Sequence, residues 1–194
     1  MGIKSEYFKI GFETRINNII RPSKRIYDVT FIGSFSLYHH DRIQLLEEIA
    51  NQIPIDIWGS GVNFLSKNSV LRKRYHGEAW GIDMYDVLSK SKIVVNKHLD
   101  IAGDWANNMR LFETTGMGTM LMTDNKMNLN ELFEIDKEII AYENSSDLIK
   151  KIKYYLHHDG EREKIAQNGQ MRTCKEHSYK RRMKELIQIV KKYL

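Results

Sequence analysis

One stretch of the chain combines residue types that can hold a polar ligand: Asn107-Asn108-Met109-Arg110-Leu111-Phe112-Glu113. Read as part of a helix over 105–116, it sets Trp105, Met109, Phe112 and Gly116 at i, i+4, i+7 and i+11. That spacing makes one apolar stripe, expected to face a sheet. Asn107, Arg110 and Thr114 fall on another face, with Glu113 at the margin. A carboxylate beside a buried stripe is costly unless it accepts hydrogen bonds. Two kinds of partner suit Glu113. It can take two adjacent hydroxyls, as on a ribose, or it can close an i, i+3 ion pair with Arg110. Just upstream lies Ile101-Ala102-Gly103-Asp104. A glycine-containing loop entering a helix presents free backbone N–H groups and the positive dipole end, a setting that suits a diphosphate.

Other residues offer less. The seven histidines include the adjacent pairs His39-His40 and His157-His158. Neighbouring side chains diverge in helix and strand alike, and no His-Glu-x-x-His pattern occurs, so no metal site is expected. The single Cys174 can form neither an internal disulfide nor a cysteine metal cluster. It reads as a partly buried helical thiol in a reducing compartment. His98 comes just after an apolar run and is the one histidine placed for catalysis or phosphate contact; the simpler role is a hydrogen-bonded rim histidine. Gly59-Ser60-Gly61 lacks the further glycine of a dinucleotide fingerprint, and no phosphate-binding G-x-x-x-x-G-K-[ST] loop is present.

The elements that position these residues alternate. Short apolar strands are expected over 28–33, 55–58, 93–96, 119–123 and 139–142. Helices are expected over 41–52, 82–90 and 105–116, and then over 146–157, 161–177 and 179–193. Pro22 and Pro54 each stand shortly before a strand, where a helix should not continue. Strands alternating with helices indicate an α/β fold, a Rossmann-like doubly wound parallel sheet with C-terminal helices. Ligands of such sheets bind beyond the carboxyl ends of the strands. The residues to inspect are therefore Gly33-Ser34-Phe35, Gly59-Ser60-Gly61, Asn96-Lys97-His98, Thr123-Asp124 and Glu143-Asn144.

With 194 residues, 42% hydrophobic and 28% charged, the chain has the composition of a globular domain of ordinary size. No apolar run approaches the ~20 residues of a membrane span, and residues 1–10 carry no secretory apolar segment. No integral membrane segment and a cytoplasmic location are therefore expected. The net charge is +5, with basic clusters at 21–25, 67–74 and 175–192. Basic surface can meet nucleic acid, an anionic membrane or a phosphorylated small molecule. No zinc finger, RNA-binding aromatic motif or helix-turn-helix pattern accompanies the charge, so no nucleic acid partner is expected.

An ordered run of motifs resembles the C-terminal, donor-binding domain of GT-B glycosyltransferases, the "glycosyl transferases group 1" or spore-maturation-protein-like group. The run comprises residues 28–34, His40 with Arg42, Trp58-Gly59, His76-Gly77-Glu78, residues 91–96 and residues 108–113. It continues through Gly116-Met117-Gly118, Leu132-Phe133 with Glu138, Tyr154-Tyr155-Leu156, residues 165–169, and His177-Ser178-Tyr179 with Arg182. The resemblance implies that Glu113 holds the ribose hydroxyls of a nucleoside-diphosphate sugar, UDP- or GDP-linked, with no cofactor required. It places Gly103 to Asn108 toward the diphosphate and sugar, Gly33-Ser34 toward the diphosphate, and Tyr75-His76-Gly77 where the base is held. Arg42, and after it Arg110, would balance phosphate charge. The wider family often carries a second glutamate eight positions before the ribose carboxylate; here that position is Trp105, with Asp104 beside it.

This reading divides the chain into a connector over 1–25, a nucleotide-sugar-binding unit over 26–178 and a C-terminal helix over 179–194 that packs on it. Phe8, Ile10, Phe12 and Ile16 give the connector an apolar edge. A GT-B enzyme needs a second, N-terminal acceptor-binding domain, which is not expected within these residues, so the chain alone is expected to be inactive in transfer. The alternative is a non-catalytic nucleotide-binding or interaction module of a surface or spore-coat assembly, since fold does not decide function.

Overall fold

The computed structural model describes residues 4–21, 24–99 and 103–193. Pro22 and the pair Ile101-Ala102 lie outside the described residues. Five strands form one parallel sheet in the order β2-β1-β3-β4-β5: β1 (Tyr27–Ile32), β2 (Asp56–Trp58), β3 (Ser91–Asn96), β4 (Met120–Asp124) and β5 (Ile140–Tyr142). All four pairings are parallel, with Thr30 opposite Asp56, Thr30 opposite Val94, Val94 opposite Leu121 and Met122 opposite Ile140. Eight α-helices are present among the described residues: α1 (Ile16–Ile19), α2 (His40–Ala50), α3 (Gly81–Ser89), α4 (Met109–Gly116), α5 (Leu129–Leu132), α6 (Ser145–His157), α7 (Asp159–Glu176) and α8 (Tyr179–Lys191).

The alternation of side chains along each strand builds two cores. Val29, Phe31, Ile93, Val95, Met122 and Ile140 point to one face, where Leu46 and Ile49 of α2 and Leu148 and Ile152 of α6 cover them. Ile32, Val94, Leu121 and Ala141 point to the other face and meet Val87 and Leu88 of α3, Leu111 and Phe112 of α4, and Leu129 and Leu132 of α5. The doubly wound sheet expected from the alternating pattern is therefore the observed fold.

The N-terminal segment belongs to the second core. Phe12 is fully buried, and its amide and carbonyl bond His177 O and Tyr179 N at 2.8 and 2.9 Å. Its ring lies so close to Gly116 that a Cβ there would come within 2.5 Å. Gly116 is thus a contact residue for Phe12.

One expected element differs. The helix over 105–116 begins only at Met109. Asn128 holds the preceding backbone through Ala106 N to Asn128 Oδ1 at 2.7 Å and Asn128 Nδ2 to Ala106 O at 2.9 Å. Asn107 is tied to the N-terminal segment through Ile10 N and Phe8 O. Asn108 then caps the helix by accepting from Leu111 N. The expected stripe is corrected accordingly: Trp105 and Met109 are exposed, while Leu111, Phe112 and Glu113 are buried.

Candidate functional site

The strand order reverses direction between β1 and β3, and in an open parallel sheet that switch point opens a crevice at the carboxyl ends of the strands. Three features converge there. β1 runs into Gly33-Ser34, β3 runs into Lys97-His98, and Arg42 from the first turn of α2 spans the two. Its Nη1 donates to Ser34 O at 3.1 Å and its Nη2 to Lys97 O at 3.0 Å. The guanidinium fork thus joins two loops that the sheet leaves apart. Gly33 is half-buried and Ser34 exposed. Gly59, after β2, has φ +144, and a Cβ there would meet Gly33 O at 1.8 Å, so the β1 and β2 loops can touch only because Gly59 is glycine.

The β3 loop carries the second cluster. His98 is buried, and its Nδ1–H and backbone N–H both donate to Asp124 Oδ1, at 2.8 and 2.9 Å. That arrangement puts the proton on Nδ1 and leaves Nε2, which is buried with no hydrogen-bond partner among the described residues. Lys97 and Lys126 each bring Nζ to 3.7 Å from Asp124 Oδ2. Burial acts to raise the Asp124 carboxyl, but the bonds from His98 and the Lys97 charge outweigh it, and the group lies below its usual value. Sequence reading placed Asp124 among the post-strand residues without singling it out; it becomes visible as a partner only through the pairing of β3 with β4.

The third cluster is α4 itself. Asn108 Nδ2 donates to Asn96 Oδ1 at 3.0 Å, and Asn96 Nδ2 donates to Thr123 Oγ1 at 2.9 Å. One turn further, Glu113 Oε2 meets Arg110 Nη1 at 3.0 Å, the i, i+3 pair allowed by the spacing. Both side chains are largely buried. Burial pushes the Glu113 carboxyl up, with the Arg110 charge acting against it, and burial pushes the Arg110 guanidinium down. The two groups are held by each other.

The remaining candidates sit apart. The His76 side chain bonds Asp56 Oδ1 at 2.6 Å and stacks on Trp58 at 4.4 Å, and Arg74 donates twice to the same Asp56 carboxylate. Asp56 opens β2 and Trp58 closes it, so the His76 ring is committed to this edge strand. Gly77, by contrast, stands at the carboxyl end, where its carbonyl accepts from Gly59 N at 2.9 Å. Asp104 is exposed, and its carbonyl accepts from Met127 N. The site therefore brings together Gly33, Ser34, Arg42, His98 and Asn108 along β1 and β3, with Arg110 and Glu113 one turn into α4.

A cleft of about 280 Å³ opens beside this cluster, lined by Asp41, Gln44, Lys97, Asp124, Tyr142 and Asn144. A larger hollow of about 550 Å³ lies between α7 and α8, away from the strand ends. The switch point is the better candidate because it alone combines strand ends, a bridging arginine and a capped helix start. Its rim is unusually apolar. Leu37 and Tyr38 after β1, Leu99 after β3, Met127 after β4, and Trp105 and Met109 around the start of α4 are all exposed. Exposed apolar side chains gathered at one edge mark a surface that meets a partner or ligand.

Comparisons with known proteins agree with this fold. Residues 42–188 match the family model described as glycosyl transferase-like. No curated protein matches the chain by sequence. Among solved structures, Anabaena Alr3699/HepE, in complex with UDP-glucose, aligns with a TM-score of 0.70 at 14% identity, over 94% of this chain and 56% of that one. A glycosyltransferase from Rickettsia africae aligns with a TM-score of 0.71 at 13% identity, over 95% and 56%. The chain thus spans about half the length of these relatives. It spans nearly all of a different one, the C-terminal domain of the group 1 glycosyltransferase LpcC from Francisella tularensis: 88% of this chain and 95% of that one, with a TM-score of 0.57 and 14% identity. The chain belongs to the glycosyl transferase-like family.

Proposed function

We propose that this chain is the donor-binding half of a glycosyltransferase, and that it holds a nucleoside-diphosphate sugar at the β1–β3 switch point. The observation that carries the reading is the Arg42 fork spanning Ser34 O and Lys97 O, beside the Asn108-capped start of α4. The solved structure of Alr3699/HepE with UDP-glucose supports a donor of that class.

In this account the diphosphate lies over Gly33-Ser34 and the first turn of α4, with Arg42 at its side. The ribose reaches Glu113, which exchanges part of its Arg110 pairing for hydroxyl donors. Asp104 and Asn108 border the sugar, and the base lies toward Gly77, with the His76 backbone rather than its ring facing it. His98, its ring fixed through Nδ1 by Asp124, borders the phosphate. Transfer breaks the bond between the anomeric carbon and the diphosphate oxygen. Preorganised donors that meet the leaving charge lower the barrier. The acceptor and its base come from a second domain, which would cover the apolar rim at Leu37, Tyr38 and Trp105.

Soaking crystals of the chain with UDP and with GDP tests the placement. Density for the diphosphate between Ser34 and Asn108 supports it, and density confined to any other surface refutes it. The closed Arg110–Glu113 pair favours a second reading, a non-catalytic module in which Glu113 serves only packing. That module would bind neither nucleotide.

A further inference from the structure

The two oxygens of the Asp124 carboxylate are unevenly served. Oδ1 accepts from the His98 N–H, the His98 Nδ1–H and the Thr123 hydroxyl, at 2.9, 2.8 and 3.3 Å. Oδ2 is buried and has no hydrogen-bond partner among the described residues. The residue as a whole is only 6% exposed. A buried carboxylate oxygen without a donor is costly, and in the wall of a cleft it is where a ligand's donor belongs.

Charge does not make up the deficit. Lys97 and Lys126 each hold Nζ 3.7 Å from Oδ2, near enough to balance its charge and too far for a hydrogen bond. Lys126 Nζ is committed to Gly103 O at 2.5 Å. With two ammonium groups facing it, Asp124 has no need of a further cation. Among the described residues, no group of three or more His, Cys, Asp and Glu is arranged to hold a metal ion. What Oδ2 calls for is a neutral donor, and a hydroxyl is the simplest.

Asp124 lines the cleft of about 280 Å³ that opens between the starts of α2 and α6. Asp41 and Gln44 bring a carboxylate and an amide from α2, and Asn144 brings an amide from the cap of α6. Tyr142 commits its hydroxyl to Asn96 O at 2.8 Å, which leaves its ring as apolar surface. A small cleft with a few placed polar groups over an aromatic ring suits a pyranose, whose hydroxyls surround an apolar C–H face. Lys97 joins the cleft to the switch point: its carbonyl takes Arg42 at 3.0 Å, and its side chain lines the cleft.

We infer that this cleft is a saccharide subsite beside the switch point, in which Asp124 Oδ2 accepts from a sugar hydroxyl. The subsite stands whether or not a nucleotide occupies the switch point. A free saccharide and the sugar of a nucleotide offer it the same hydroxyl.

Saturation-transfer NMR of the 194-residue chain with the methyl glycosides of glucose, galactose, mannose and N-acetylglucosamine tests the subsite. At least one should receive saturation at millimolar concentration. Gln44→Trp fills the cleft from an exposed position, so the fold should be kept, as circular dichroism would verify, and the signal should be lost. Asp124→Asn removes the acceptor at Oδ2 and should weaken the saccharide by about tenfold, the usual worth of one hydrogen bond to a charged group. Titrating UDP-glucose and GDP-mannose against UDP and GDP separates the two sources. A glycoside signal with no gain in affinity from the attached sugar supports a free saccharide as occupant. A sugar-dependent gain that Gln44→Trp removes supports the nucleotide-linked one. A chain that binds a glycoside but no nucleotide supports the subsite and contradicts the donor reading. Neither a glycoside signal nor a sugar-dependent gain, or either one unchanged by Gln44→Trp, overturns the subsite. So does tighter binding of methylammonium than of any glycoside, since the cleft would then read charge.

Discussion

The Asn108 amide donates to Asn96 Oδ1 at 3.0 Å, so the last residue of β3 fixes the first turn of α4. Asn108 also caps that turn through Leu111 N. One side chain thus sets both where the helix begins and where its N-terminal dipole end stands relative to the strand ends. Replacing Asn108 with Ala should cost about 1 kcal/mol of stability in urea unfolding, the usual worth of a side-chain cap. Nucleotide affinity should fall as well. Asn108→Asp should keep the cap but lose the bond to Asn96, so its unfolding loss should be smaller and its loss of affinity for an anionic ligand larger. Equal behaviour of the two variants would contradict this.

The Arg110–Glu113 pair makes a separate prediction. Arg110→Met leaves a buried carboxylate without its partner and should cost about 3 kcal/mol. Removing both charges, in Arg110→Met/Glu113→Gln, should recover most of that loss. A double-mutant cycle in urea reads the coupling directly, and additive losses would show that the two groups are independent.

His177 predicts an acid limb. Its Nε2–H donates to Leu132 O at 2.7 Å, and its Nδ1 accepts from Arg182. Burial, with Arg182 and other cations nearby, lowers its pKa to about 4 from 6.5. The folded state therefore binds fewer protons than the unfolded chain between these values. Stability from this group is complete above pH 6.5 and declines as pH falls toward 4, by up to about 3 kcal/mol. His177→Gln should be less stable at pH 7 and show a shallower dependence over that window. A wild-type stability that stays level from pH 7 to 4 would refute the assignment.

Gly116 should tolerate no side chain. A Cβ would enter the Phe12 ring, which is buried on every side. Gly116→Ala should cost about 1–3 kcal/mol through overpacking, and Phe12→Leu should relieve part of it in the double variant. Thermal melts of the four chains check both statements.

Much of the fold was legible in the sequence. The five strands and the long helices arise from local apolar periodicity, and their observed bounds differ from expectation by a few residues. The start of α4 was not legible, because the residue that holds 105–108 out of the helix is Asn128, from beyond β4. The site divides in the same way. Gly33, Ser34 and His98 could be placed because each stands just beyond the carboxyl end of a strand. The Arg42 strap and the Asp124 partner of His98 depend on which strands are neighbours, and a linear sequence does not carry that order. The His76 ring shows the converse: its neighbour Gly77 lies on the rim, yet Asp56 and Trp58 hold the ring against β2.

The central claim is that α4 and the β1–β3 switch point hold a nucleoside diphosphate. Isothermal titration calorimetry of the chain with UDP and with GDP tests it most directly. The account predicts saturable binding of one or both at or below millimolar concentration. Glu113→Ala should abolish that binding, and the isosteric Glu113→Gln should weaken it while leaving the fold intact. No heat of binding for either nucleotide at millimolar concentration, or binding that Glu113→Ala leaves unchanged, would contradict it.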